Sequence, residues 1–149
     1  EGQHLYVPAV VSHVQTKRTL MKEDSIRQIM NAYDHLNVAL VGIGTADNTS
    51  SAFRSGYYSD EMKQQAIKDQ VCGDICMHLF DKEGRTDRFP YNKQIVGVNL
   101  NKLKKVPYAI GIANGVRKAE AIRGAIKGGY INVLVTDAQC GEALTRLND

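Results

Sequence analysis

Tyr108-Ala109-Ile110-Gly111-Ile112-Ala113-Asn114-Gly115-Val116-Arg117-Lys118-Ala119-Glu120-Ala121-Ile122 is the stretch that decides how this chain is read. Tyr108 to Ala113 is an apolar run, and Asn114-Gly115 breaks it. From Arg117 the apolar residues recur at helical spacing to about Lys127, where Gly128-Gly129 stops the helix. Asn132-Val133-Leu134-Val135-Thr136 then reads as a strand and Ala138 to Leu147 as a helix. Strand, helix, strand, helix in immediate succession is the pattern of an α/β domain with a mainly parallel sheet.

Upstream, Val38-Ala39-Leu40-Val41 is apolar at every position, which suits a parallel strand buried on both faces. It runs into Gly42-Ile43-Gly44-Thr45, a polar, Gly-rich turn. Ser59-Asp60-Glu61 opens a helix to about Asp69, the hydroxyl placed to cap and the acids at the positive helix end. Ile75 to Phe80 reads as a strand, with Asp81-Lys82-Glu83-Gly84 as a hairpin turn into Arg85–Phe89. Gln94 to Leu100 reads as a further strand. Near the start, Leu5 to Val11 is strand-like, and Pro8 suits an edge position or a strand end. Asp24 or Ser25 caps a helix through His35, with Ile26, Ile29, Met30 and Tyr33 as its apolar stripe. The fold class expected is therefore α/β, Rossmann-like, with a hairpin excursion.

The composition bounds the function. Of 149 residues, 43% are apolar and 23% charged, which excludes intrinsic disorder and low-complexity architectures. No run approaches the roughly 18 apolar residues of a membrane span, no residue order at the start suggests a signal peptide, and the odd number of cysteines makes a reducing, cytoplasmic setting the expected one. The net charge of +3 is too small to mark a nucleic-acid binder. Lys102, Lys104, Lys105, Arg117, Lys118, Arg123 and Lys127 nevertheless fall within 26 residues holding a single acid, Glu120. Beside a Gly turn, such a segment fits a small anion at least as well as a polyanion, and equally a solvated basic face. Three cysteines, Cys72, Cys76 and Cys140, make no closed disulfide framework and no metal set, and read as small core residues of a reducing compartment.

Ligands of parallel α/β sheets sit beyond the carboxyl ends of the strands. Three such ends stand out: Gly42–Thr45, Ala113–Lys118 and Thr136-Asp137. At Asn114-Gly115 a strand turns straight into a helix, so backbone N–H groups and the helix dipole favour an anion, with Lys118 as a mobile charge. An ordinary turn with a solvated lysine is the plainer reading. Gly42 and Gly44 are not a dinucleotide fingerprint, because the third glycine position is Asp47. They allow close backbone approach or serve the fold alone. Asp74 after Gly73 can accept from sugar hydroxyls or cap a turn. Asn92-Lys93 offers an amide and a cation. His4, His13, His35 and His78 have no catalytic partner at a telling spacing. No metal site and no cofactor are expected.

Taken together, Val41-Gly42-Ile43-Gly44, Cys72-Gly73-Asp74-Ile75-Cys76, Asn92-Lys93-Gln94-Ile95-Val96-Gly97-Val98, Ala113 to Ile122 and Asn132 to Asp137 resemble the sugar-binding domain of the SorC family of bacterial transcriptional regulators. The order and gaps match across nearly the whole chain, and the deoxyribonucleoside-type branch is the most similar. The resemblance implies a fold like that of ribose-phosphate isomerase and glucosamine-phosphate deaminase. It implies a phosphorylated sugar as effector, operator DNA bound through an N-terminal helix-turn-helix domain, and a homo-oligomer, dimer or tetramer. By the same resemblance, residues 1–149 are part of an effector domain. The family's first strand, with its phosphate turn, is expected before Glu1, as is the helix-turn-helix, and the absence of Met at Glu1-Gly2-Gln3 agrees with a piece of a longer protein. Position by position, Gly42 and Gly44 match the turn at the ligand cleft, Asp74 the acid facing sugar hydroxyls, and Lys118 the lysine aimed at phosphate. Asn114 stands beside Gly115 where the family usually has two glycines. Lys93 replaces the usual Arg, losing the bidentate fork.

These residues point to a ligand-binding regulatory module rather than an enzyme. A phosphosugar isomerase or deaminase needs a general base, for which Asp74 is the one candidate at the cleft, and an oligomerisation module with a vestigial pocket is the third reading.

Overall fold

A computed structural model describes residues 2–47 and 50–147; Glu1 lies outside the described residues. The strands are β1 (Val38–Gly42), β2 (Gly44–Thr45), β3 (Val71–Ile75), β4 (His78–Asp81), β5 (Tyr108–Ile112) and β6 (Val133–Val135). The helices are α1 (Val14–Leu20), α2 (Asp24–Ala32), α3 (Ser51–Arg54), α4 (Asp60–Lys68), α5 (Leu100–Leu103), α6 (Ala119–Lys127) and α7 (Ala138–Arg146). β1, β5 and β6 form a wholly parallel sheet in the order β1-β5-β6, and β2, β3 and β4 form a small antiparallel one. The α/β class with a mainly parallel main sheet and an antiparallel excursion is thus observed.

The second half follows its local signals. A 3-10 turn at Val116–Lys118 precedes α6, and Gly129 ends the helix at a φ of +70°. Asp137 caps α7 by accepting from the Cys140 amide at 2.9 Å. α6 buries Ala119, Ala121, Ile122 and Ala125 and lies between the two sheets, joining them into one core with Ile43, Ile75, Phe80, Leu103 and Ala109. Ser59 caps α4, as its position suggests, accepting from the Met62 amide at 3.3 Å.

Several sequence expectations fail locally. The hairpin turns at Cys76-Met77, joining β3 to β4, and not at Asp81–Gly84; both turn residues have positive φ, +50° and +67°. That is the two-residue hairpin geometry usually met with Asn-Gly, here imposed on two side chains that disfavour it. Asp81–Gly84 is a tight turn, but Arg85–Phe89 forms no strand. Gln94–Leu100 is no strand either: a 3-10 turn at Pro90–Gln94 and α5 take up its ends, and Ile95 makes one isolated antiparallel bridge to Val10. That bridge is all that remains of the strand expected at Leu5–Val11, where Pro8 has no N–H to give a ladder. α1, unanticipated, packs with α2 around Val11, Ile26, Met30 and Val96. The α2 stripe is the expected one, but Glu23 stands at its N-cap without a side-chain hydrogen bond, and a 3-10 turn replaces its end at Tyr33–His35.

A further difference concerns β1. Its alternate residues Val38 and Leu40 are exposed, so the strand is buried on one face only.

Candidate functional site

The parallel register carries the ends of β1, β5 and β6 to one edge of the sheet. The three strand ends singled out in the sequence meet there. The Ala113 amide donates to Val135 O at 3.1 Å, and the Ile43 amide to Ile112 O at 3.3 Å. The Gly115 amide donates to Asp137 Oδ2 at 2.6 Å, and Lys118 Nζ donates to Ile43 O at 2.8 Å.

Two adjoining hollows open on this edge. The larger, about 450 Å³, is lined by Gly42, Ile43, Gly44, Ser51, Ala52, Ser55, Tyr57, Asp74, Cys76, Met77 and Lys118. The smaller, about 220 Å³, is lined by Gly44, Thr45, Ser50, Ser51, Asn114, Gly115, Arg117 and Lys118. Gly44, Ser51 and Lys118 are common to both. Of the seven candidate residues, Gly42, Gly44, Asp74, Asn114, Gly115 and Lys118 therefore gather at one place. Lys93 does not. It sits in the 3-10 turn at Pro90–Gln94 and lines a different surface with Lys17, Arg18 and Met21. Its neighbour Asn92 is absorbed by the fold, accepting from the Leu79 amide at 2.8 Å and donating to Leu79 O at 2.8 Å and Thr86 O at 3.0 Å.

Asp74 is the most unusual group at the site. It lies on β3 opposite Gly44 of β2 and is only 7% exposed. Its Oδ1 is buried with no hydrogen-bond partner. Burial pushes its carboxyl up to about 6, against a hydrogen bond from the Met77 backbone and the charge of Lys118, which both pull it down. Gly44 is what allows it to stand there, because a Cβ at that position would lie 2.0 Å from Asp74 Oδ1. The Cys76-Met77 turn beside it is held by Tyr58, whose hydroxyl donates to Met77 O at 2.6 Å, and by a 3.1 Å contact of His78 Nδ1 with Cys76 O. Burial lowers His78 to about 4 and raises the Cys76 thiol to about 11, so the imidazole is neutral and the thiol protonated near neutral pH.

The Gly turn differs from its sequence reading in one respect. Gly115 needs its freedom, with a φ of +94°, but its N–H is spent on Asp137 rather than open to a ligand. Asp137 thus ties the turn to the start of α7, and the accepted amides hold its carboxyl below the usual range. The basic cluster is also dispersed. Lys102 pairs with Asp34 at 2.7 Å, Lys127 with Glu83 at 2.8 Å, and Lys104 stands 5.0 Å over the Tyr130 ring. Only Arg117 and Lys118 of that cluster line the two hollows.

Ser50 and Ser51 are the contributors that sequence reading missed. Ser50 Oγ is buried without a partner in the smaller hollow. The Ser50-Ser51 pair soon after a Gly-rich turn was the available signal. Among the described residues no group of three or more His, Cys, Asp and Glu is placed to hold a metal ion, and no helix is long and apolar enough to cross a membrane.

A family model described as "Putative sugar-binding domain" matches residues 1–146. The chain belongs to the sugar-binding domain family of SorC-type transcriptional regulators. One relative is the deoxyribonucleoside regulator of Bacillus subtilis, 34% identical over 142 residues, covering 95% of this chain and 45% of that protein. The crystal structure of the full-length sorbitol operon regulator SorC of Klebsiella pneumoniae has a TM-score of 0.84 at 33% identity, over 92% of this chain and 44% of that one. A domain of a possible sugar-binding transcriptional regulator from Arthrobacter aurescens TC1 has a TM-score of 0.84 at 25% identity, over 93% of this chain and 53% of that one. The chain thus spans a little under half of the Bacillus and Klebsiella proteins and a little over half of the Arthrobacter chain, and the relatives named here are regulators rather than enzymes.

Proposed function

We infer that this chain is the effector-binding part of a bacterial transcriptional regulator and that its effector is a phosphorylated sugar. The observation that carries the reading is the juxtaposition of Asp74, a buried carboxylate with an unsatisfied oxygen, and Lys118, a cation shared by both hollows. Asp74 and the backbone of Gly42 and Gly44 receive the sugar hydroxyls in the larger hollow. Lys118 and the Ser50 and Ser51 hydroxyls receive the phosphate in the smaller, beside Asn114 and Gly115. A phosphate there forms charge-assisted hydrogen bonds with the lysine, the strongest kind available at such a site. The names of the Bacillus and Klebsiella relatives support a sugar or deoxyribonucleoside-derived ligand and an operator as the downstream target. In the regulator, residues 1–149 form part of the effector domain, and a helix-turn-helix domain outside them contacts DNA. The assembly is a homo-oligomer, and the effector acts by binding one of its states more tightly than another.

A thermal-shift screen tests this. Phosphosugars raise the unfolding midpoint by mass action, the matching free sugars do so far less, and Asp74→Ala diminishes both shifts. A screen in which phosphorylated and free sugars give equal shifts removes the phosphate from the proposal. One observation favours an enzyme: Asp74 Oδ1 is buried without a partner in the lining of the larger hollow, where a carboxylate can serve as a general base. Turnover of ribose-5-phosphate or glucosamine-6-phosphate distinguishes that reading.

A further inference from the structure

A second, strongly basic groove lies away from the sheet edge. Its open part, about 710 Å³, is lined by Lys17, Arg18, Lys22 and Lys93, with no acid among its lining residues. Its inner part, about 300 Å³, shares Lys17 and Lys93 and reaches His78, Asn99 and Asn101, with Asp87 as its one carboxylate. None of the residues lining this groove lines either hollow at the sheet edge. The backbone fixes its walls. The Val11 amide donates to Gln94 O at 3.0 Å and the Val96 amide to Ala9 O at 2.9 Å, clamping the chain ahead of α1 to the segment that follows Lys93. α1 then packs on the 3-10 turn Pro90–Gln94, so Lys17 and Lys93 reach one groove from two elements.

Several other cations of the chain are paired, Lys63 with Asp60, Arg85 and Arg88 with Asp81, Lys102 with Asp34 and Lys127 with Glu83. Among the described residues, Lys17, Arg18, Lys22 and Lys93 make no ion pair and no side-chain hydrogen bond. Lys17 is also half-buried, and burial lowers its ammonium below the usual lysine range. Like charges gathered around one concavity repel one another and focus a positive potential, which a bound anion relieves. His78 says which anion. It is only 9% exposed, and burial keeps its ring neutral. Its Nδ1 lies 3.1 Å from Cys76 O, and a carbonyl only accepts, so Nδ1 carries the proton. Nε2 is left as a lone pair, to which no described residue donates. A ligand that pairs with the lysines and also donates to Nε2 is an anion bearing an O–H. Hydrogen phosphate has one, whereas sulfate and the phosphodiesters of DNA have none.

We propose that the groove between α1 and the Pro90–Gln94 turn is a second ligand site, taking a small divalent oxyanion that keeps an O–H group, of which hydrogen phosphate is the simplest. Lys17 and Lys93 hold its charge, Arg18 and Lys22 draw it in, and its hydroxyl donates to His78 Nε2. The site does not rest on the sugar reading, since the two share no lining residue. They meet only through the β3–β4 turn, where His78 Nδ1 holds the carbonyl of Cys76, a residue that lines the larger hollow.

The test titrates inorganic phosphate and, separately, sulfate into the isotope-labelled 149-residue chain at about pH 8, where both ions are divalent, and follows amide and imidazole nitrogen shifts by NMR. Phosphate should give saturable shifts at Lys17, Lys93 and the His78 ring, and should bind about fivefold more tightly than sulfate, the worth of one hydrogen bond. Lys17→Gln combined with Lys93→Gln removes two charges that have no partner in the chain. The pair should weaken both anions about tenfold while leaving the circular dichroism unchanged. Lys118→Ala, at the sheet edge, should leave the shifts at Lys17, Lys93 and His78 in place. His78→Phe should remove the preference for phosphate. Should that variant not fold, the wild-type Nε2 shift decides the same point, moving with phosphate and not with sulfate. The proposal is overturned by an absence of saturable shifts at these three residues, by shifts that survive the double lysine variant, or by sulfate binding as tightly as phosphate. It is overturned equally by a DNA duplex that displaces phosphate from Lys17 and Lys93, which would make the groove a contact for backbone phosphates.

Discussion

Replacing Gly44 by Ala tests how the site is built. A Cβ at Gly44 falls 2.0 Å from Asp74 Oδ1 and 3.1 Å from its Cγ. Ordinary contact is well beyond 3 Å, so the carboxylate must leave its position or β2 must part from β3. Overpacking of this kind costs about 1–3 kcal/mol. The atoms that clash are Oδ1 and Cγ, and Asp74→Ala removes both. The same glycine substitution should therefore be nearly free in that background, within about 0.5 kcal/mol, and the double-mutant cycle should give a coupling energy of at least about 1 kcal/mol. Urea unfolding with linear extrapolation reads all four proteins. A Gly44→Ala cost that is the same with and without the Asp74 carboxyl would refute the steric reasoning.

Three further outcomes are expected. Asp74→Asn should change the pH dependence of stability: the folded-state value of about 6 lies above the unfolded 3.8, so the native carboxylate disfavours folding once ionised. The wild type should lose roughly 3 kcal/mol relative to the Asn variant as pH rises from about 4 through 6, and nothing below that window; denaturant midpoints across pH give the difference, and parallel curves would contradict it. Asn92→Ala strips the Leu79 amide and carbonyl of their side-chain partner and should cost about 2–4 kcal/mol by urea unfolding, with loss of the Cys76-Met77 hairpin's exchange protection. Asp137→Ala frees the Gly115 amide and uncaps α7, with an expected cost of about 1–2 kcal/mol.

What was legible in the sequence was local. Tyr108 to Leu147 could be read because each signal, an apolar run, a glycine or a capping acid, acts on its immediate neighbours. The hairpin at Cys76-Met77 could not. Neither residue favours positive φ, and the turn stands because Tyr58 and His78 bind its carbonyls from a distance or from the next strand. Asp81-Lys82-Glu83-Gly84 carries the better turn signal and reads as the hairpin, whereas Gly84 closes a tight turn against the Asp81 carbonyl at 2.8 Å and accepts from the Tyr130 hydroxyl. The gathering of Gly42, Gly44, Asp74, Asn114, Gly115 and Lys118 was legible as strand ends of one parallel sheet together with the family resemblance. Lys93 was misplaced because spacing along the chain does not show which side of a 3-10 turn faces the sheet edge. Ser50 and Ser51 were missed because serines after a glycine turn are ordinary until burial leaves one unpartnered.

The most direct measurement on the central claim is a calorimetric titration at pH 7.5 of ribose-5-phosphate and other phosphosugars, each beside its free sugar, into the wild type, Lys118→Ala and Asp74→Ala. If Lys118 meets phosphate and Asp74 meets hydroxyls, Lys118→Ala abolishes the advantage of phosphosugar over free sugar, while Asp74→Ala weakens both alike. Equal losses from Lys118→Ala for the two ligand classes, or no phosphosugar preference in the wild type, would contradict it.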